Sequence, residues 1–140
     1  MKKTISYLEE KNNYLEKFLG LNRKWLDRLT QGDFGDIEEF RETRETILNI
    51  VRHIDALIES HTMRITDPEI DDEMRSQINT LLNRKESLVK AILGQDLDIM
   101  QLIERAKSQI IADLRNVSRV RKTIGSYKSF STKEIIDEEV

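Results

Sequence analysis

An all-α fold, an antiparallel bundle of two long helical hairpins with a short C-terminal tail, is predicted by three features of this chain. Charged residues make up 35% of its 140 positions, beside many leucines and isoleucines, which is the composition of long amphipathic helices. One proline and five glycines leave few places where a helix must stop. Apolar residues recur at steps of three and four through most of the length, the period of one helix face. A chain of this length is expected to form a single domain, 1–140, and to bury a useful core without staples.

The first helix is expected over residues 4–31. Ile5, Leu8, Leu15, Leu19, Leu26 and Leu29 share a face that Tyr7, Tyr14, Phe18, Leu21 and Trp25 widen. About 100° of apolar arc suffices to seat a helix on one neighbour, so the wider arc here predicts two neighbours or a partner. Gly32-Asp33-Phe34-Gly35 breaks the pattern, and Asp36 with Glu39 reads as an N-cap and its capping-box partner. The second helix, 36–61, carries Ile37, Phe40, Ile47, Val51, Ile54 and Ile58, interrupted on that stripe only by Arg44. A turn centred near Phe34 sets Arg44 level with Asn22, itself a polar break in an apolar stripe, and predicts a polar layer between them.

Residues Thr62 to Asp67 lack periodicity and form the expected hinge. Asp67-Pro68 predicts the start of a third helix, 68–93, with Pro68 at its first position and Glu69, Asp71, Asp72 and Glu73 favouring its positive end. Met74, Ile78, Leu81, Leu88 and Ile92 line its face. Gly94 is then expected to end it and reverse the chain. A fourth helix, 97–125, capped by Asp96 or Asp98, carries Ile99, Ile103, Ala106, Ile110, Val117, Val120, Ile124 and, at its end, Tyr127. The tail, 126–140, is expected to be flexible or to form one short helical turn capped within Ser131-Thr132-Lys133-Glu134. Leu21-Asn22-Arg23-Lys24 recurs as Leu82-Asn83-Arg84-Lys85, and Gly32 to Ile37 has a counterpart in Gly94 to Ile99, so the halves are read as two similar hairpins.

Chemistry is sparse. The absence of cysteine excludes disulfides, thiolate metal sites and cysteine nucleophiles. The two histidines, His53 and His61, stand eight residues apart on one helix, without the Glu-x-x-His pattern of di-iron bundles, so no metal and no cofactor is expected. Neither a nucleophile elbow nor a phosphate loop is present, since Gly32 and Gly35 follow a helix and no Lys-Ser/Thr follows them. The protein is read as no enzyme. Glu9, Glu10 and Lys11 interrupt any apolar leader, and no apolar run is long enough for a membrane span, so a cytoplasmic location without membrane insertion is expected. Net charge is −3, which gives no global pull on nucleic acid. Arg115, Arg119, Arg121 and Lys122, with Lys128, are a local electrostatic strip, followed by Glu134, Asp137, Glu138 and Glu139. Cations also suit the negative end of a helix, so the strip reads either as a solvated helix end or as a docking surface for an acidic partner.

The run Ile92-Leu93-Gly94-Gln95-Asp96-Leu97-Asp98-Ile99-Met100, then Leu102-Ile103-Glu104, Lys107, Ile110-Ile111, Asp113-Leu114 and Arg121-Lys122-Thr123-Ile124-Gly125-Ser126-Tyr127, resembles the C-terminal half of FliT-type flagellar export chaperones. Gly32-Asp33-Phe34-Gly35-Asp36-Ile37-Glu38-Glu39-Phe40 with Arg44-Glu45 and Ile47-Leu48 is similar to their first half, and FlgN-type chaperones share the architecture. The resemblance implies a type III export chaperone that binds the C-terminal region of a late flagellar substrate, prevents its self-association and delivers it to the export apparatus. Implied partners are a filament cap protein or a hook–filament junction protein, and components of the export gate and ATPase. It also implies a client-binding or gating face at Ile103, Ile110, Val117, Val120 and Ile124, and docking to the export gate through Tyr127. The longer Thr62–Asp67 connection and the acidic ending depart from the family pattern. Two other readings are a scaffold bundle acting as a homodimer through the wide face of the first helix, and a regulator that sequesters another protein through the basic end of the last.

Overall fold

The computed structural model describes residues 2–64 and 70–139, with side chains described over 2–61 and 70–126. These residues form three helices rather than the expected four: α1, Lys2–Thr30; α2, Ile37–Arg64; and α3, Asp72–Glu139. No strand occurs among them. The chain divides into two compact units, Met1–Met100 and Gln101–Val140.

The α1–α2 turn lies where the sequence places it, between Thr30 and Ile37. Gly32 adopts φ 81°, the left-handed geometry that glycine enters without a Cβ penalty. Its N–H donates to Leu29 O at 3.0 Å, and the Asp33 N–H donates to Arg28 O at 2.9 Å, so two open carbonyls at the end of α1 are satisfied in a Schellman arrangement. Asp33 organises the remainder of the turn: its carboxylate accepts from Arg28 Nε at 2.9 Å and from the Gly35 N–H at 3.0 Å, while Arg28 Nη2 donates to Gly35 O at 3.1 Å. Asp36 stands before α2 as expected, but the capping-box bonds expected between it and Glu39 are not formed; its carboxylate lies 3.9 Å from Arg28 Nη2. The Asp36 carbonyl accepts the first helical bond, from Phe40 N–H at 3.1 Å, and its own φ is 60°.

α2 runs on to Arg64, past the expected end at His61. Half of the expected Thr62–Asp67 hinge, residues 62–64, thus belongs to α2; the other half, 65–67, lies outside the described residues, as does the proposed N1 position of Pro68. α3 begins later than expected, at Asp72, because Asp71 is its N-cap: Asp71 Oδ1 accepts the Met74 N–H at 2.8 Å and its carbonyl accepts the Arg75 N–H at 3.1 Å.

The largest correction concerns Gly94. Reversal there was expected, yet α3 passes through Gly94, and later through Gly125, without interruption. A glycine inside a helix costs only about 1 kcal/mol against alanine, less than the burial of Leu88, Ile92 and Ile99 around it contributes. The helix also continues through the expected flexible tail to Glu139. The suggested internal repeat therefore separates into unlike parts. Asn22 is fully buried and Asn83 exposed, while Gly32 ends one helix and Gly94 lies within another.

Within residues 1–100 the three helices run up, down and up. α1 is antiparallel to α2, with Trp25 stacked on Phe40 at 4.7 Å and, at the other end, Tyr7 against His61 at 5.3 Å. α1 is parallel to α3: Asn12 Nδ2 donates to Leu81 O at 3.0 Å, and Gln95 Nε2 donates to Leu19 O at 3.1 Å. The core between them joins Leu15 and Phe18 of α1, Val51 of α2, and Leu88 and Ile92 of α3. The width of the α1 apolar face is thus explained by two neighbours. Phe18 and Trp25 are buried, and Tyr7 and Tyr14 half-buried.

Candidate partner-binding face

Two sites emerge, one in each unit. In residues 1–100 it is the polar layer. Asn22 Nδ2 and Arg44 Nη2 both donate to Asp96 Oδ1, each at 2.9 Å, so one carboxylate oxygen joins all three helices. The Arg44 guanidinium also lies 5.1 Å from the Phe18 ring centroid and 5.3 Å from that of Phe40, over faces that attract a cation. The predicted pairing of Arg44 with Asn22 is therefore indirect, through Asp96, which the sequence placed in a helix cap. Next to it a cavity of about 210 Å³ lies between α2 and α3, with Leu15 and Phe18 as its floor and Leu48, Val89 and Leu93 on its walls. Leu93, Leu97 and Met100 are each more than half exposed.

In residues 101–140 the feature is an uncovered apolar stripe. Ile103 and Ala106 are half-buried, and every residue from 107 to 126 is exposed. Exposure of the large apolar side chains runs from 45% at Val117 to 62% at Leu114, with Ile110 at 58%, Val120 at 55% and Ile124 at 46%. Ile103, Ile110, Val117 and Ile124 repeat at intervals of seven on the continuous helix, and Ala106, Asp113 and Val120 fall between them at the complementary heptad position. The structure thus places the predicted face on one side of α3, but as part of the long helix and not as a separate fourth one. Ile99, read from sequence as part of this stripe, is instead 1% exposed and belongs to the core of the first unit. Ile111 and Leu114 widen the stripe. Their spacing of three was visible in the sequence, but they lie beside the chosen line.

The four cations of the predicted strip do not share one face. Continuity of α3 puts Lys107 and Arg121 along one edge of the stripe, with Leu114 between them; Arg115 and Lys122 lie on the face opposite the seam, and Arg119 one row beyond the other edge. The opposite edge is uncharged: Gln109, Asn116 and Thr123. Asp113 is the single carboxylate within the stripe, and Gln109 Nε2 donates to its Oδ1 at 3.0 Å. The side chain of Tyr127, the expected export-gate residue, and Lys128 lie outside the described side chains.

His53 is exposed, and His61 is half-buried beside Tyr7. Among the described residues no cluster of three His, Asp or Glu side chains is placed to hold a metal ion, and no helix is long and apolar enough to cross a membrane. No family model, curated protein or solved structure matches the chain.

Proposed function

We propose that this protein is a non-enzymatic chaperone that holds an amphipathic segment of a client on the stripe Ile103, Ile110, Val117, Val120 and Ile124. The observation that carries the reading is the exposure of that stripe: large apolar side chains at heptad spacing along residues 107–126, uncovered by any described residue. A surface of this kind marks a binding face, because an apolar row in water is stabilised by the apolar face of another helix. Residues 1–100 serve as the folded support, with a core of their own.

The proposed client is a late flagellar substrate, a filament cap protein before a hook–filament junction protein, bound near its C-terminus and passed to the export gate. Its support is the resemblance of the α1–α2 turn region and of residues 92–127 to FliT-type chaperones. Co-purification of such a substrate with the intact protein, and its loss when Ile110 and Val117 are changed to aspartate, tests the assignment. Under the same proposal Tyr127→Ala leaves client capture intact and lowers export. Normal export by that variant would remove Tyr127 from gate docking.

A further inference from the structure

Resting on that proposed function, we infer that the occupant of the α3 stripe is an acidic amphipathic helix, bound with its carboxylates along the Lys107–Arg121 edge and with a cation or amide opposite Asp113. Charge decides this. From residue 103 to 126 the cations are Arg105, Lys107, Arg115, Arg119, Arg121 and Lys122, against Asp113 and Glu104, the latter 3.9 Å from Lys107. In the rows directly flanking the seam they stand unevenly, since one edge carries Lys107 and Arg121 with Leu114 between them and the other Gln109, Asn116 and Thr123, with Arg105 and Arg119 one row beyond.

A second copy of this chain fits the stripe poorly. A parallel pair would set the cationic edge of one helix against the uncharged edge of the other and stack Asp113 on its own counterpart in the apolar seam. An antiparallel pair would face the cationic edges toward each other, where like charges disfavour association. A helix with glutamate or aspartate along one edge meets Lys107 and Arg121 directly, within the positive excess that the other cations give this stretch of α3. Asp113, already bonded to Gln109, retains acceptor capacity for a donor from the partner. A polar residue at one core position of a helix pair fixes register, so Asp113 sets where along the stripe the partner sits.

The test uses the full chain and three designed helical peptides of about three heptads each, alike in their leucine core and differing in flanking charge: glutamate, glutamine or lysine. Each has a lysine opposite Asp113, and binding is measured by fluorescence anisotropy over a range of salt. The expected result is about tenfold or greater preference for the glutamate peptide over the lysine peptide at low salt, narrowing as salt rises. In the double variant Lys107→Glu, Arg121→Glu, whose altered side chains are exposed and leave the fold intact, the order should invert. Equal or tighter binding of the uncharged or lysine peptide would overturn the charge assignment and leave the stripe as the binding face. Binding of none of the three would overturn the inference together with the proposed function. A concentration-dependent doubling of mass that Val117→Asp abolishes would make a second copy the occupant, and so overturn it as well.

Discussion

Arg44 and Asp96, 52 positions apart in sequence, are joined by a 2.9 Å ion pair on whose carboxylate oxygen the fully buried Asn22 also donates. Both charged side chains are about a quarter exposed, so solvent weakens the attraction that a fully buried pair would have. The contact still matters, because losing Asp96 leaves the buried Asn22 amide without its acceptor and the Arg44 guanidinium over Phe18 and Phe40 without its carboxylate.

Asp96→Ala is therefore expected to destabilise the protein by about 1–3 kcal/mol, through donors left without an acceptor. Arg44→Ala and Asp96→Ala together should cost less than the sum of the two alone, by about 1 kcal/mol, in denaturant unfolding. Strict additivity would mean that the pair contributes no coupling.

Two glycines should respond in opposite directions. A Cβ built on Gly94 meets nothing within 4 Å and the backbone there is helical, so Gly94→Ala should raise stability by about 0.5–1 kcal/mol. Gly32, at φ 81°, should lose about 1 kcal/mol or more on the same change. Destabilisation by Gly94→Ala would favour a chain reversal at that residue over a continuous α3.

The same contrast explains what the sequence made legible. Gly32 and Gly94 are one residue type in similar surroundings, and composition cannot tell a left-handed cap from a tolerated helical glycine. What distinguishes them is context: Gly32 is followed by Asp33, Gly35 and Asp36, which supply the turn's hydrogen bonds, whereas Gln95 and Asp96 after Gly94 are consumed by α1 and α2. The core faces of α1 and α2 were readable because their period is regular, and the level of Arg44 with Asn22 came from the position of the turn. Asp96 was missed because a carboxylate two residues after a glycine reads as a cap. Pro68 likewise outweighed Asp71, whose capping bond to the Met74 N–H has no sequence signal beyond its residue type. The stripe of α3 was legible as apolar, but its exposure was not, since core and interface share one period.

The α1–α2 turn should depend on acid pH. Hydrogen bonds from Arg28 and from the Gly35 N–H hold the Asp33 carboxyl below the usual carboxylate range. A carboxylate whose folded pKa lies below its unfolded one adds stability above the unfolded value and loses it as pH falls through the folded one. The turn should thus keep full amide protection at Gly35 and Asp33 down to the ordinary carboxylate range and lose it progressively below. Asp33→Asn should show weaker protection at neutral pH and no such acid transition, as monitored by amide exchange.

Substitutions on the α3 stripe should separate binding from folding. Ile110→Asp and Val117→Asp alter exposed side chains and are expected to change unfolding free energy by no more than about 0.5 kcal/mol each, measured by denaturant melts. The corresponding core change, Leu88→Ala, should cost about 2–5 kcal/mol, because Leu88 is 2% exposed in the cluster with Phe18 and Ile92.

The measurement that bears most directly on the binding face is capture of the late flagellar substrates by the intact chain and by the Ile110→Asp, Val117→Asp double variant, with thermal unfolding recorded on the same samples. Retention of a filament cap or hook–filament junction protein by the first, its loss from the second and an unchanged melting temperature are predicted. Undiminished capture by the variant, or a melting temperature that falls with capture, would contradict the account, the latter because the stripe would then be packed within the chain itself.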